Sequence, residues 1–264
     1  MSKRFPFILP VLLPLVLLSC TKKQTSEEET SSNPMDIHYT LINTLPHNTE
    51  AWTQGLVIYQ NKILESTGQP NRSWIAEVNA SSGEHDKKVT LPGQYFGEGI
   101  TVLNNKIYQL TWEEKTGFVY DARTYKKLRE FSYDIQGWGL THDGKNLIMS
   151  DGSGYKLHFL DTATLKIVRS VTVMDGGSRV KDLNELEYID GYVFANVWNT
   201  NWILKIDPAT GKVVGRIDLS AIGEQIRVMY PEANVLNGIA YDARSRALLI
   251  TGKLWPKSYL IRLQ

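Results

Sequence analysis

Apolar residues in this chain come in short runs, mostly four to seven residues long, separated by turns rich in Asn, Asp and Gly. No stretch keeps the 3.6-residue period of an amphipathic helix, so the pattern predicts strands. The runs are also periodic on a larger scale. Five segments align: Gln54-Gly55-Leu56-Val57, Glu98-Gly99-Ile100-Thr101, Trp138-Gly139-Leu140-Thr141, Asn184-Glu185-Leu186-Glu187 and Asn237-Gly238-Ile239-Ala240. They lie 44, 40, 46 and 53 residues apart, the repeat length of a four-stranded propeller blade.

Each segment leads into a turn suited to a hairpin: Gln60-Asn61, Asn104-Asn105, Asp143-Gly144, Asp190-Gly191 and Ala243-Arg244-Ser245. A second run follows and ends at Gly68, Trp112, Gly152, Trp198 or Lys253. Third runs are predicted at 74–78, 118–121, 157–161, 203–207 and 259–263. Three of them turn through Asp-x-x-Thr, at Asp121, Asp161 and Asp207. Fourth runs are predicted at 88–91, 128–133, 168–173 and 214–219. The fifth repeat runs out of chain after its third strand, while the strand at 37–45 has no partner. Pairing the two closes a ring and removes the exposed edges of an open array. The expectation is an all-β fold, a five-bladed β-propeller over 36–264 with mixed N-/C-terminal closure of the last blade. The insert at 221–233 is the place for a short helix or a lid.

First strands line the axis of a propeller, so equivalent repeat positions face one another across the channel. Gln54, Glu98, Trp138, Asn184 and Asn237 open the first strands, and the second strands end beside them. One mouth therefore gathers one acid, three amides, three tryptophans and one lysine. Polar groups in register are poor core chemistry unless they face a ligand or water. A single tryptophan is more often core, but three in register with polar neighbours point to a ligand cage. Glu98, set between Gly97 and Gly99, is the candidate catalytic carboxylate. Glu185 and Glu187 read as ion-paired structural carboxylates, with help in binding a cation as the alternative.

Composition narrows the picture. The formal net charge is +1 over 264 residues, which gives no footprint for nucleic acid. The five histidines lack metal-ligand spacing, and no phosphate loop, dinucleotide fingerprint or nucleophile elbow occurs. The single cysteine, Cys20, ends an apolar segment that starts after Lys3 and Arg4 and is short for a bilayer span. Leu17-Leu18-Ser19-Cys20 resembles a bacterial lipobox. That resemblance implies a signal peptide over 1–19, lipidation at Cys20, and a protein held on the bacterial envelope, periplasmic or surface-exposed, by its lipid alone. Residues 20–35 are polar and read as a flexible tether.

Along the whole domain the chain resembles the plant-type and bacterial glutaminyl-peptide cyclotransferases. The stretches carrying the resemblance include Thr53-Gln54-Gly55-Leu56, Glu65-Ser66-Thr67-Gly68, Phe96-Gly97-Glu98-Gly99-Ile100, Leu110-Thr111-Trp112, Gly137-Trp138-Gly139-Leu140-Thr141, Leu183-Asn184-Glu185-Leu186-Glu187-Tyr188, Ala195-Asn196-Val197-Trp198 and Thr251-Gly252-Lys253. Trp52, and the stretch after Gly68, depart from the family pattern. The resemblance implies a five-bladed propeller that acts on peptides or proteins with N-terminal Gln, closing it to pyroglutamate and releasing ammonia. It implies Glu98 as general acid/base, a pocket of Gln54, Trp112, Trp138, Asn184, Trp198 and Lys253, and Trp52 and Phe96 flanking it. No catalytic cofactor is implied, a structural cation such as calcium is compatible, and the chain is expected to be a monomer. Two alternatives stay open on the residues alone: a propeller lactonase-type hydrolase, and an anchored propeller that binds a ligand or protein.

Overall fold

In the computed structural model, residues 1–2, 34–152 and 154–264 are described. The leader, Cys20 and nearly all of the tether lie outside the described residues. From Thr53 onward the strands follow the predicted rhythm. Blade 1 is Thr53–Tyr59, Lys62–Thr67, Trp74–Val78 and His85–Thr90. Blade 2 is Gly97–Leu103, Lys106–Thr111, Thr116–Asp121 and Lys127–Ser132. Blade 3 is Leu140–His142, Asn146–Ser150, Lys156–Asp161 and Ile167–Thr172. Blade 4 is Leu183–Ile189, Tyr192–Val197, Trp202–Ile206 and Val213–Asp218. Blade 5 takes Leu236–Asp242, Ala247–Gly252 and Lys257–Leu263 from the C-terminus. Its fourth strand, Tyr39–Pro46, comes from the N-terminal side and pairs antiparallel with Lys257–Leu263.

The five first strands touch in a closed cycle, blade 1 to 2 to 3 to 4 to 5 and back to 1. The ring is therefore a five-bladed propeller with mixed-terminus closure. Its hairpin turns use left-handed backbone at Gln60, Asn61, Asn104, Asn105 and Asp190. Asn and Asp tolerate this conformation better than other side chains. The Asp-x-x-Thr turns close as expected. Asp121 accepts hydrogen bonds from the backbone N–H and hydroxyl of Thr124, both at 2.8 Å, and Asp161 does the same for Thr164 at 2.8 Å.

Two features go beyond the expectation. Ahead of the expected strand, Met35–Asp36 pairs parallel with Val213–Asp218 on the outside of blade 4. The Ile37 N–H then donates to Arg216 O at 2.8 Å before the chain crosses to blade 5. One segment thus stitches two blades. A small hairpin, Met174–Asp175 with Ser178–Arg179, follows blade 3 and left no mark in the apolar pattern because its residues are polar or half-exposed. As expected, the insert forms a short helix, α1 (Ser220–Met229), which buries Ile222, Gly223 and Ile226 toward blades 4 and 5.

The hydrophobic core is split among the clefts between blades, because each sheet buries both faces. Leu64, Ile75, Ile100, Val102 and Phe118 fill the cleft between blades 1 and 2. The seam between blades 5 and 1 has a smaller buried cluster, Leu56, Ala240 and Leu249. A propeller closes by such side-chain packing, so both termini are tied to the sheet that seals it.

The site lies where the first strands leave regular pairing. In blades 1, 2, 4 and 5 the register of the first strand slips at Thr53/Gly55, Gly97/Ile100, Leu183/Leu186 and Leu236/Ile239. A bulge re-aims the side chain it contains. Here the bulges contain Gln54, Glu98, Asn184 and Asn237. In blade 3 the strand begins only at Leu140, just past Trp138. Glycine after the re-aimed residue lets neighbouring blades meet backbone to backbone. A Cβ on Gly99 would lie 2.5 Å from Leu140 N and from Trp138 O, where Gly99 N–H now donates at 2.7 Å.

Candidate active site

The cavity at this end of the channel has a volume of about 360 Å³ and is lined by Trp52, Gln54, Phe96, Glu98, Trp112, Trp138, Asn184, Trp198 and Lys253. The structure thus brings together all nine expected pocket residues. Asn237, which the repeat register places among them, does not reach the wall. It lies underneath, where its amide donates to Thr53 O at 3.0 Å and to Gln54 Oε1 at 3.2 Å. Gln54 is thereby held with its own amide donating to Glu98 Oε1 at 3.1 Å.

Glu98 is buried, and its second oxygen, Oε2, has no hydrogen-bond partner among the described residues. Burial drives its pKa well above the usual carboxylate range. The Lys253 ammonium pulls it down and the Glu114 carboxylate pushes it further up, but desolvation dominates. Lys253 is buried as well. Desolvation lowers its pKa to about 8, against the attraction of Glu98. Its ammonium stands 5.5 Å from the centroid of the Trp52 ring, a cation–π contact. Asn184 is buried with its Oδ1 unpartnered among the described residues. The polar side of the pocket therefore presents two unmet acceptors, Glu98 Oε2 and Asn184 Oδ1, beside one ammonium. Buried polar groups are rarely left so.

The aromatic side is built on glycines. A Cβ at Gly68 would run into the Phe96 ring, and one at Gly152 would run into the Trp138 indole. The two glycines that end second strands thus serve as flat seats for pocket aromatics. Phe96 meets Trp112 edge-on at 5.6 Å, and Trp138 meets Trp198 edge-on at 5.9 Å. Trp198 is 40% exposed and forms the open lip.

Two supports escape a reading of the sequence. Gln136 Oε1 accepts from the Trp112 indole at 3.0 Å and the Trp138 indole at 3.2 Å, fixing both rings with one atom. It sits just outside the repeat register, so alignment gives it no signal. Ser66 Oγ donates to Glu98 O at 2.5 Å, and Ser150 Oγ donates to Asn184 O at 2.7 Å. Each serine lies two positions before Gly68 or Gly152 and pins a bulge of the next blade. That shared position was the available clue.

Among the described residues Glu185 and Glu187 join no ion pair. Glu185 Oε2 accepts from Ile239 N–H at 2.8 Å and Oε1 from Leu56 N–H at 3.3 Å, so this fully buried carboxyl bridges blades 5 and 1. Glu187 Oε1 accepts from Tyr241 N–H at 2.9 Å. Desolvation raises the pKa of both, Glu187 to about 8. The expectation of ion pairs failed because the strand register offers them backbone amides and no cation. The histidines do structural work: His47 and His85 bond Glu65 at 3.1 and 2.8 Å, and His158 bonds Asp151 at 3.1 Å.

A family model for glutamine cyclotransferase matches residues 11–263 of this chain. A glutaminyl-peptide cyclotransferase of Arabidopsis thaliana is 36% identical over 271 residues, spanning 99% of this chain and 84% of that protein. The crystal structure of Myxococcus xanthus glutaminyl cyclase superposes with a TM-score of 0.82 at 37% identity, covering 88% of this chain and 98% of that one.

Proposed function

The chain belongs to the glutamine cyclotransferase family, and on that premise we propose that Glu98 is the proton shuttle in the cyclisation of N-terminal glutamine. The enzyme converts N-terminal Gln of peptides and proteins to pyroglutamate and releases ammonia. The observation that carries the role of Glu98 is its unpartnered oxygen in a buried, tryptophan-walled cavity beside Lys253.

The reaction needs no nucleophile from the protein. The substrate's α-amine nitrogen attacks the δ-carbon of its own side-chain amide, forming the ring C–N bond. The amine gives up a proton, and the amide nitrogen takes one before the C–N bond to it breaks and ammonia leaves. Ionised Glu98 accepts the first proton and returns it to the leaving nitrogen, ending as the carboxylate it began as. The raised pKa suits this double duty, because a carboxyl less acidic than usual takes and holds a proton more readily before returning it. Asn184 Oδ1 and Glu98 Oε2 are acceptors for the N–H groups of the substrate. The Lys253 ammonium and the Gln54 amide are donors for the carbonyl oxygen, which gains negative charge during attack. Trp112, Trp138 and Trp198, with Trp52 and Phe96, hold the glutamine side chain folded back on its amine, the near-attack shape. The proton inventory closes on Glu98, so this reading calls on no cofactor. Incubating the purified domain with a Gln-initiated peptide and following the loss of ammonia by mass spectrometry tests the activity. Glu98→Gln tests the shuttle.

The sequence also supports an anchored enzyme. The lipobox-like stretch before Cys20 and the polar tether after it support lipid attachment at the bacterial envelope. Among the described residues no helix is long and apolar enough to cross a membrane. Membrane release of a Cys20→Ser protein is the check.

A further inference from the structure

A second cavity, about 600 Å³, opens beside the first on blade 1. Trp52 lines both, so the indole is a shared wall. Gly68, the seat of the Phe96 ring, also belongs to the groove. Its floor is Trp74 and His85, whose rings lie 4.1 Å apart. His85 is occupied with Glu65, at 2.8 Å. Two cations line the groove: Lys88, whose ammonium is 4.6 Å from the Trp74 ring centroid, and Arg72. Both are exposed, and neither joins an ion pair among the described residues. Glu50 is the single carboxylate on the groove wall, so cations are in excess.

Two details mark the groove as built. Thr67 lines it with a buried hydroxyl that has no partner among the described residues. Gln69, also on the wall, holds a φ of 135°, which side-chain-bearing residues rarely adopt. The Arg72 N–H and the Ser73 hydroxyl clamp it there by donating to Gln69 O, at 3.0 and 2.9 Å. Backbone strain of this kind persists where the surroundings enforce it and gathers at binding sites.

Resting on the proposed cyclisation, we infer that this groove receives the second and third residues of the substrate and favours acidic side chains there. A peptide whose first residue fills the tryptophan pocket must leave past its wall, and each further residue reaches about 3.5 Å. The groove across Trp52 is within that reach. The Thr67 hydroxyl meets a peptide group, and Arg72 and Lys88 meet a carboxylate.

The test compares kcat/KM for Gln-Glu-Glu, Gln-Ala-Ala and Gln-Lys-Lys amides at low and high salt. The wild-type enzyme should prefer Gln-Glu-Glu over Gln-Lys-Lys by about fivefold or more at low salt, the scale of one or two exposed charge contacts. The preference should shrink at high salt. Arg72→Glu with Lys88→Glu should abolish or invert the ratio, and Glu50→Gln should raise it. Turnover of all three peptides at equal rates would overturn the groove assignment and leave the cyclisation standing. Undiminished discrimination in the Arg72/Lys88 variant would also overturn it. If Gln-Ala-Ala is not cyclised at all, the catalytic reading itself falls and the groove assignment goes with it.

Discussion

Glu65 and Glu98 lie on neighbouring blades, both buried, and the protein treats them in opposite ways. Glu65 accepts from Thr53 Oγ1 at 2.6 Å and meets His47 at 3.1 Å and His85 at 2.8 Å. Those partners overcome the cost of burial and hold its pKa at about 2. Among the described residues Glu98 has one amide on one oxygen and no partner on the other, and burial takes its pKa the other way. Burial alone therefore does not mark a functional acid. An acid whose partners are missing does, because the missing partners are what a substrate supplies. Glu185 stands between the two, deeply buried but given two backbone amides.

The contrast can be broken most severely at Glu98. Glu98→Gln keeps the size and the bond to Gln54 but cannot carry a proton, so kcat/KM should fall by roughly 10²–10⁴, the usual worth of a general acid/base group. Thermal unfolding of the variant should match wild type. Turnover near the wild-type rate would remove Glu98 from the mechanism.

At Glu65 the large effect should be on stability instead. Glu65→Ala leaves buried His47 and half-buried His85 without their carboxylate and should cost about 3–5 kcal/mol, read from denaturant unfolding. The molecules that remain folded should cyclise at near wild-type rate. The pH sign follows from the lowered pKa: stability from Glu65 is present above the ordinary value of 4.5 and is lost as pH falls toward about 2. Glu65→Gln should flatten that acid limb.

A smaller effect sharpens the pocket side. Activity should rise with pH as Glu98 ionises, through a pKa above the ordinary range. It should decline above about 8 as Lys253 loses its proton. Arginine stays charged throughout, so Lys253→Arg should move the alkaline limb upward even at reduced kcat. An unmoved limb would assign it to another group.

The smallest change belongs to Glu185. Its raised pKa means stability falls as pH climbs from 4.5 through the folded value, since ionising it in place is unfavourable. Glu185→Gln should cost only about 1 kcal/mol near neutrality, one weak backbone bond, and should remove that alkaline decline. A loss as large as that at Glu65 would mean the carboxyl is ionised and essential.

How much of this was written in the chain divides along the same line. Repeat spacing, turn chemistry and an unpartnered N-terminal strand determined the five blades and their closure, because strand alternation and hairpin turns are local properties. The positions opening each repeat determined which residues meet at the channel mouth, since a repeated fold brings equivalent positions together. Tertiary structure decided the rest. It set Asn237 beneath Gln54, placed Gln136 between two indoles, and gave Glu185 amides where the sequence suggested ion pairs. It also paired Met35–Asp36, ahead of the N-terminal strand, with blade 4. Each of these depends on partners from another blade, and a polar side chain's role is fixed by which unmet donor or acceptor lies opposite it. The sequence singled out Glu98 by its repeat position between two glycines; only the blades around Glu65 and Glu98 make the first a structural anion and leave an oxygen of the second without a partner among the described residues.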